Sequence, residues 1–309
     1  MFIIKHKKIF IGISILLVAL SMISLLVFGL KVGIDFKGGA LSEVVYKTAR
    51  PTQADLNEPL EALNFGTVLL QPTGEMGYIV KTRDLNDTEH AQLLNALSLG
   101  RSTTTGEAEG EAETLTEISF SSVGPTVGLE LTRKAIIAVI LISLAIICFI
   151  AFAFRKVSKP VSSWKYGLIA VITLLHDVAI PVGLFVILSR YYGAELDTLF
   201  VVAVLTILGL SVSDTIVIFD RIRENLRAEA NIARSDFREI VGNSLNQSFV
   251  RSICTSLTVI LVLLALFFFG PVSTRYFALM LTAGMFFGTY SSIFLASPLL
   301  VWVSEWQKK

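Results

Sequence analysis

The chain has 309 residues, 53% of them hydrophobic and only 17% charged, with a mean hydropathy of +0.70. That composition excludes an ordinary soluble domain, and a net charge of +1 provides no basic field for nucleic acid. Cys148 and Cys254 lie in apolar runs and the histidines His6, His90 and His176 are scattered, so neither a disulfide framework, a metal site nor a cofactor site is expected.

Six apolar runs are long enough to cross about 30 Å of hydrocarbon, which takes about 20 residues as a helix. They fall at 9–30, 135–154, 166–188, 199–219, 249–269 and 277–303. The expected fold class is a polytopic α-helical membrane protein with six transmembrane helices and one external α+β domain at 31–134. The first run is too long for a signal-peptide core and no A-x-A-like site follows it, so it reads as a retained span. Lys5, Lys7 and Lys8 precede that span. Arg155, Lys156, Lys159 and Lys165 lie between the second and third, and Arg221, Arg223, Arg227, Arg234 and Arg238 between the fourth and fifth. The opposite short loops hold only Arg190 and Arg275. The positive-inside bias therefore places the leader 1–8, the loop 220–248 and the tail 304–309 in the cytoplasm, with 31–134 outside.

The external segment opens on Gly38-Gly39, where the backbone can turn freely. Alternation and β-branched residues predict strands at 41–47, 66–71, 76–83 and 115–123. Leu56, Leu60 and Leu63 after Thr52, and Leu93, Leu94 and Leu97 after Asp87, predict helices at 52–64 and 87–99. This βαββαβ order is the ferredoxin-like, split βαβ arrangement. Residues 100–113 are polar and acidic without periodicity and read as a loop. Gly124-Pro125 and Gly128 read as a joint back to the membrane, and with Gly38 and Gly39 they form the candidate hinge.

The third span carries His176-Asp177 four residues before Pro181, which removes the helical partner of the Asp177 carbonyl. Interhelical bonding and a hydrated polar crevice are both open readings there. In the fourth span Asp197 and Thr198 cap the start, and Asp214 lies 16 residues on, about 24 Å along the helix. A carboxylate at that depth costs about 2.5–3.5 kcal/mol on insertion scales, which makes it a functional candidate by default. Ser211 is one turn away on the same side. Asp220 sits at the margin beside the arginines. On the fifth span Gln247, Arg251, Thr255 and Thr258 share a face, and Arg251 reads either as snorkelling at the inner membrane boundary or as pairing with a carboxylate of the fourth span. The sixth holds Gly284-x-x-x-Gly288 followed by Thr289, Ser291 and Ser292, suited to close packing inside the protein or against a partner.

Carboxylates, one arginine and intervening hydroxyls are the parts of a proton relay, because a cation moving beside a carboxylate changes its proton occupancy. An intramembrane aspartyl protease is disfavoured because Leu-Ser-Val-Ser, not Gly-x-Gly, precedes Asp214. A non-catalytic membrane scaffold needs no relay and treats Asp214 as an interhelical hydrogen bond.

Five blocks in order carry a resemblance: V-G-I-D-F-K-G-G from Val32, S-S-V-G-P-T-V-G-L-E-L from Ser121, L-L-H-D-V from Leu174, S-V-S-D-T-I-V-I-F-D-R-I-R-E-N from Ser211 and S-L-N-Q-S-F-V-R from Ser244. They resemble the SecD/SecF family of the resistance-nodulation-division superfamily, on its SecF side. Leu210-Ser211-Val212-Ser213 departs from the Tyr-Ser-x-Asn often found there. The resemblance implies a non-enzymatic accessory subunit of the Sec secretion machinery in the bacterial inner membrane. It implies SecD, the SecYEG channel, the translocating preprotein and membrane lipid as partners, and the proton gradient in place of a cofactor. A drug-export role, by analogy with other members of the superfamily, is disfavoured by the small external domain. Asp214 and Arg251 carry over as relay residues, with Asp220, Asp177 and Ser211 as weaker members.

Overall fold

The computed structural model describes residues 2–99, 115–153, 162–229 and 236–306. The segment read as an acidic loop, 100–113, lies outside them. In chain order the helices and strands are α1 (Phe2–Lys5), α2 (Lys7–Phe28), α3 (Ile34–Lys37), β1 (Gly39–Tyr46), α4 (Gln53–Ala62), β2 (Leu69–Thr73), β3 (Gly77–Thr82), α5 (Asp87–Leu97) and β4 (Leu115–Val123). There follow α6 (Pro125–Ala153), α7 (Ser163–Tyr192), α8 (Thr198–Glu229), α9 (Phe237–Phe269), α10 (Arg275–Ser291) and α11 (Ser297–Trp306). The chain divides into two compact units, Met1–Lys31 with Ile136–Lys309, and Val32–Ala135.

The α+β unit holds one four-stranded sheet in the order β2-β3-β1-β4, every neighbouring pair antiparallel. Ala40 pairs with Thr82 and Val44 with Tyr78 across β1 and β3, and the β1–β4 register shifts between Glu43 and Val44. Ala40, Val44 and Tyr46 alternate on β1 and are buried with Leu56 and Leu60 of α4 and Leu93, Leu94 and Leu97 of α5. The leucines recur every three or four residues, so each helix turns one apolar face inward. Both helices start with a capping box, Thr52 with Asp55 and Asn86 with Glu89. Tyr46 Oη donates to Leu97 O at 2.9 Å, satisfying a carbonyl at the end of α5. Glu117 of β4 accepts from Ser42 at 2.5 Å and lies 3.0 Å from His90 Nε2 of α5, whose ring stacks on Phe120.

Of the candidate hinge glycines, Gly38, Gly39 and Gly128 occupy tight backbone positions, while a Cβ on Gly124 would have nothing within 4 Å. Gly38 has φ 82°, a conformation that suits a residue with no side chain, and a Cβ there would lie 2.8 Å from Pro125 Cα. Gly128 lies inside α6, with its N–H on Gly124 O at 3.0 Å, and a Cβ on it would stand 3.0 Å from both Gly38 N and Phe36 O. The stretch Gly124–Gly128 that reads as a linker in sequence is thus the first turn of a helix packed against the Phe36–Gly38 backbone.

Among the described residues, six helices have the length and apolar composition to cross a membrane. The last, Val272–Trp306, comprises α10, a π-helical turn at Ser292–Ala296 and α11. Its most apolar window is 67% buried, against 6% for Pro125–Ala153, so α10 sits at the centre and α6 at the rim. The Gly284-x-x-x-Gly288 face is internal: a Cβ on Gly284 would overlap Ile207 of α8, and one on Gly288 would touch Ser211, one turn further along α8. Hydrophobic drive between helices is weak in lipid, and small residues let the backbones approach until dispersion contacts replace it. At the far end Glu305 meets Lys7 and Arg238, the latter at 2.7 Å, tying α2, α9 and α11 together.

Candidate functional site

The helices α7, α8, α9 and α10 enclose two separate carboxylates. Asp177 of α7 is fully buried. It accepts hydrogen bonds from Ser211 of α8 and, at 2.6 Å, from Ser291 of α10. His176 Nδ1 stands 2.8 Å from its other oxygen. The His176 ring stacks on Tyr290, and its Nε2 is buried with no hydrogen-bond partner among the described residues. Asp214 of α8 is half-buried and accepts from Ser252 of α9 on one oxygen and from Ser292, at 2.5 Å, on the other. Next to it Thr289 donates to Ser256 at 2.5 Å, joining α10 to α9.

Each helix reaches this arrangement for a local reason. Asp197 accepts from the Phe200 N–H at 2.7 Å and so fixes the start of α8. Ser211 and Asp214 are three residues apart, close enough to lie on one side of α8 yet rotated enough to serve different neighbours. Ser211 does not support Asp214, as the sequence spacing suggests; it turns to α7. Ser291 and Ser292 are consecutive: Ser291 ends α10 and meets α7, and Ser292 opens the π-helical turn and meets α8.

Arg251 does not pair with Asp214. The face of α9 bearing Gln247, Arg251, Thr255 and Thr258 is exposed, and Thr255 and Thr258 donate to carbonyls of their own helix. The buried face is the ladder Ser244, Ser248, Ser252 and Ser256, one serine per turn. Ser244 accepts from Asn225 of α8 at 2.8 Å, Ser252 meets Asp214 and Ser256 meets Thr289. Serine is small, and in a tightly packed apolar interface it lets helices approach while its hydroxyl finds a partner. That period of four is legible in the sequence.

Arg251 lines a polar recess with Val217, Asp220, Arg221, Glu224, Gln247 and Ser248. Val217 is one turn from Asp214 on α8, and Ser248 one turn from Ser252 on α9, so the recess ends about one helical turn from the carboxylate. Asp220 has a side chain 69% exposed and lies 3.8 Å from Arg223, a helix-end charge with a neighbouring cation. Among the described residues no group of three or more His, Cys, Asp or Glu could hold a metal ion.

Residues 104–306 match the family model of the protein export membrane protein SecD/SecF, C-terminal. The protein translocase subunit SecF of Thermobaculum terrenum is 41% identical, over 99% of this chain and 94% of that protein. The chain belongs to the SecD/SecF family. The SecF subunit of Anaerolinea thermophila is 35% identical over 99% of this chain and 95% of its own length. Fused members also match. The SecDF of Brucella abortus is 34% identical over 94% of this chain but only 36% of that protein. The crystal structure of SecDF from Thermus thermophilus, a translocon-associated membrane protein, superposes with a TM-score of 0.77 at 30% identity. It covers 99% of this chain, which spans 38% of the fused one. This SecD/SecF member is thus as long as the separate SecF subunits and about a third of the SecDF fusions.

Proposed function

We propose that this chain is an accessory subunit of the Sec protein-export machinery that works with a SecD partner and uses the proton-motive force. The fused SecDF relatives support the SecD partnership, because a chain of this length corresponds there to one part of a longer polypeptide. The SecYEG channel and the translocating preprotein belong to the same reading, as does residence in the bacterial inner membrane with both termini cytoplasmic and the α+β unit outside. The strand order β2-β3-β1-β4, with a helix after β1 and after β3, supports a ferredoxin-like description of that unit.

The observation that carries the reading is the setting of Asp214. Its carboxylate is held by two hydroxyls, with no cation in hydrogen-bond contact among the described residues. Ser252 and Ser292 donate to the ionised form. On protonation the carboxyl becomes a donor, and the bonds to α9 and α10 must be rearranged. Proton binding therefore alters how α8 is held by its neighbours. The recess bearing Arg251 supplies polar groups one turn away, so a small shift of α9 would bring a cation to the carboxylate and expel the proton. Each charge moved across the membrane gains about 2.3 kcal/mol per 100 mV. Gly38, Gly39, Gly124 and Gly128 are the positions through which that change would reach the α+β unit.

The test is Asp214→Asn in vesicles carrying the full chain and its Sec partners. The substitution keeps hydrogen-bonding capacity and removes the titrating group. The expected result is normal insertion, intact ATP-driven secretion and loss of the potential-dependent component. Full potential-dependent secretion would overturn the proposal in favour of a scaffold whose Asp214 is only an interhelical hydrogen bond.

A further inference from the structure

Among the described residues, four serine hydroxyls reach the two carboxylates, and they are not equivalent. Ser211 and Ser252 have one acceptor each, the carboxylate they touch. Ser291 has two: Asp177 at 2.6 Å and, at 3.0 Å, the carbonyl of Gly288 three residues back. Ser292 repeats the pattern with Asp214 at 2.5 Å and the Thr289 carbonyl at 3.0 Å. A hydroxyl carries a single hydrogen and donates to one acceptor at a time.

This difference matters when a carboxylate gains a proton. The new carboxyl O–H needs an acceptor, and the hydroxyl that had been donating to it needs somewhere else to turn. A serine with a second acceptor does both: it swings its hydrogen to the backbone carbonyl and offers its lone pair to the carboxyl. No buried polar group is left unpaired. Ser211 and Ser252 have no second acceptor among the described residues and make no such exchange. Ser291 and Ser292 are neighbours in the chain and stand at the entry to the π-helical turn Ser292–Ala296, where the Ser292 carbonyl accepts from Ser297 Oγ at 3.3 Å. π-turns inside helices are rare and recur at functional sites.

We propose that Ser291 and Ser292 are positioning residues that couple the protonation of Asp177 to that of Asp214, each hydroxyl turning between its carboxylate and its own backbone carbonyl. The two carboxylates thereby share the junction of α10 with its π-helical turn, and a change at either is felt at the other through a single peptide unit. His176 faces Asp177 from α7 and stacks on Tyr290 of α10; Arg251 lies in the recess beyond Asp214. The proposal deepens the proton-relay reading of Asp214 and rests on it.

The experiment is infrared difference spectroscopy of the full chain in lipid vesicles across a pH series, following protonated carboxyl bands assigned with Asp177→Asn and Asp214→Asn. Ser291→Ala is expected to move the titration midpoint of Asp177 by about one pH unit, a tenfold change in proton affinity, and to move that of Asp214 as well. Ser292→Ala is expected to do the reverse. Ser211→Ala and Ser252→Ala should each move only their own aspartate, and Ser291→Thr and Ser292→Thr, which keep the hydroxyl, should restore the native midpoints. No cross-effect in Ser291→Ala and Ser292→Ala, or equal cross-effects in Ser211→Ala and Ser252→Ala, with both carboxyls still titrating, would overturn the coupling and leave the relay standing. Failure of Asp214 to titrate at all in the unaltered chain would overturn both.

Discussion

Ser252 of α9 donates a hydrogen bond to Asp214 of α8, whereas Arg251, the residue before it on the same helix, is exposed. The bond makes a stability prediction that the arginine does not. A double-mutant cycle of Ser252→Ala and Asp214→Ala, followed by thermal unfolding in detergent, should give a coupling of about 0.6 kcal/mol, the average for interhelical hydrogen bonds in membranes, and no more than about 1.7 kcal/mol. The same cycle with Arg251→Ala should give essentially none in this conformation. A large Arg251 coupling with no Ser252 coupling would mean that the exposed face of α9, not the serine ladder, engages Asp214.

Gly284 and Gly209 make a matched pair. A Cβ on Gly284 would overlap Ile207, whereas one on Gly209 has nothing within 4 Å. Gly284→Ala is expected to destabilise by about 1–3 kcal/mol through overpacking, and Ile207→Ala in the same chain should recover part of that loss. Gly209→Ala should be neutral or stabilising by up to about 1 kcal/mol, because it removes a flexible residue from a helix interior. Equal effects at the two glycines would contradict the close α8–α10 approach.

In the α+β unit, the Arg83 guanidinium hydrogen-bonds Glu89 at 2.5 Å, and with the Asn86 N–H it holds that carboxyl at about 2, below its ordinary 4.5. The folded value lies below the unfolded one. The contribution is therefore complete above pH 4.5 and is lost as pH falls toward 2. Hydrogen exchange of the α5 amides in the full chain should accelerate over that window, and Glu89→Gln should flatten the dependence. Both residues are solvent-accessible, so added salt should shrink the effect.

Tyr46→Phe removes the donor to Leu97 O without changing the packed ring. The buried carbonyl at the end of α5 loses its partner, and the cost expected is about 1–3 kcal/mol, read as a local rise in exchange at the C-terminal turn of α5. Tyr78→Phe, whose hydroxyl serves the less buried Pro51 carbonyl at 2.8 Å, should cost less.

The apolar runs, the alternating strands and the two leucine-faced helices were legible because each depends on neighbours within a few residues. A run of about 20 apolar side chains has few alternatives to a spanning helix, and a period of two or of three to four commits a segment to strand or helix before any tertiary contact exists. The helix starts at Thr52 and Asp197 were readable for the same reason. The Asn86 cap lies one residue before the start predicted from Asp87, a difference that rests on which side chain reaches the Glu89 N–H.

The sequence also singled out the candidate carboxylates, since a carboxylate within an apolar run declares itself by its cost. The tertiary structure decided who meets whom. It paired Asp214 with Ser252 and Ser292, gave Ser211 to Asp177, and left Arg251 on the open face of α9. It also turned Gly284 and Gly288 inward against Ile207 and Ser211. The physical reason is that a helix has polar residues on several faces, and the rotation that wins is set by how closely small residues allow neighbouring backbones to approach. That quantity belongs to the packed assembly of helices, and no single helix contains it.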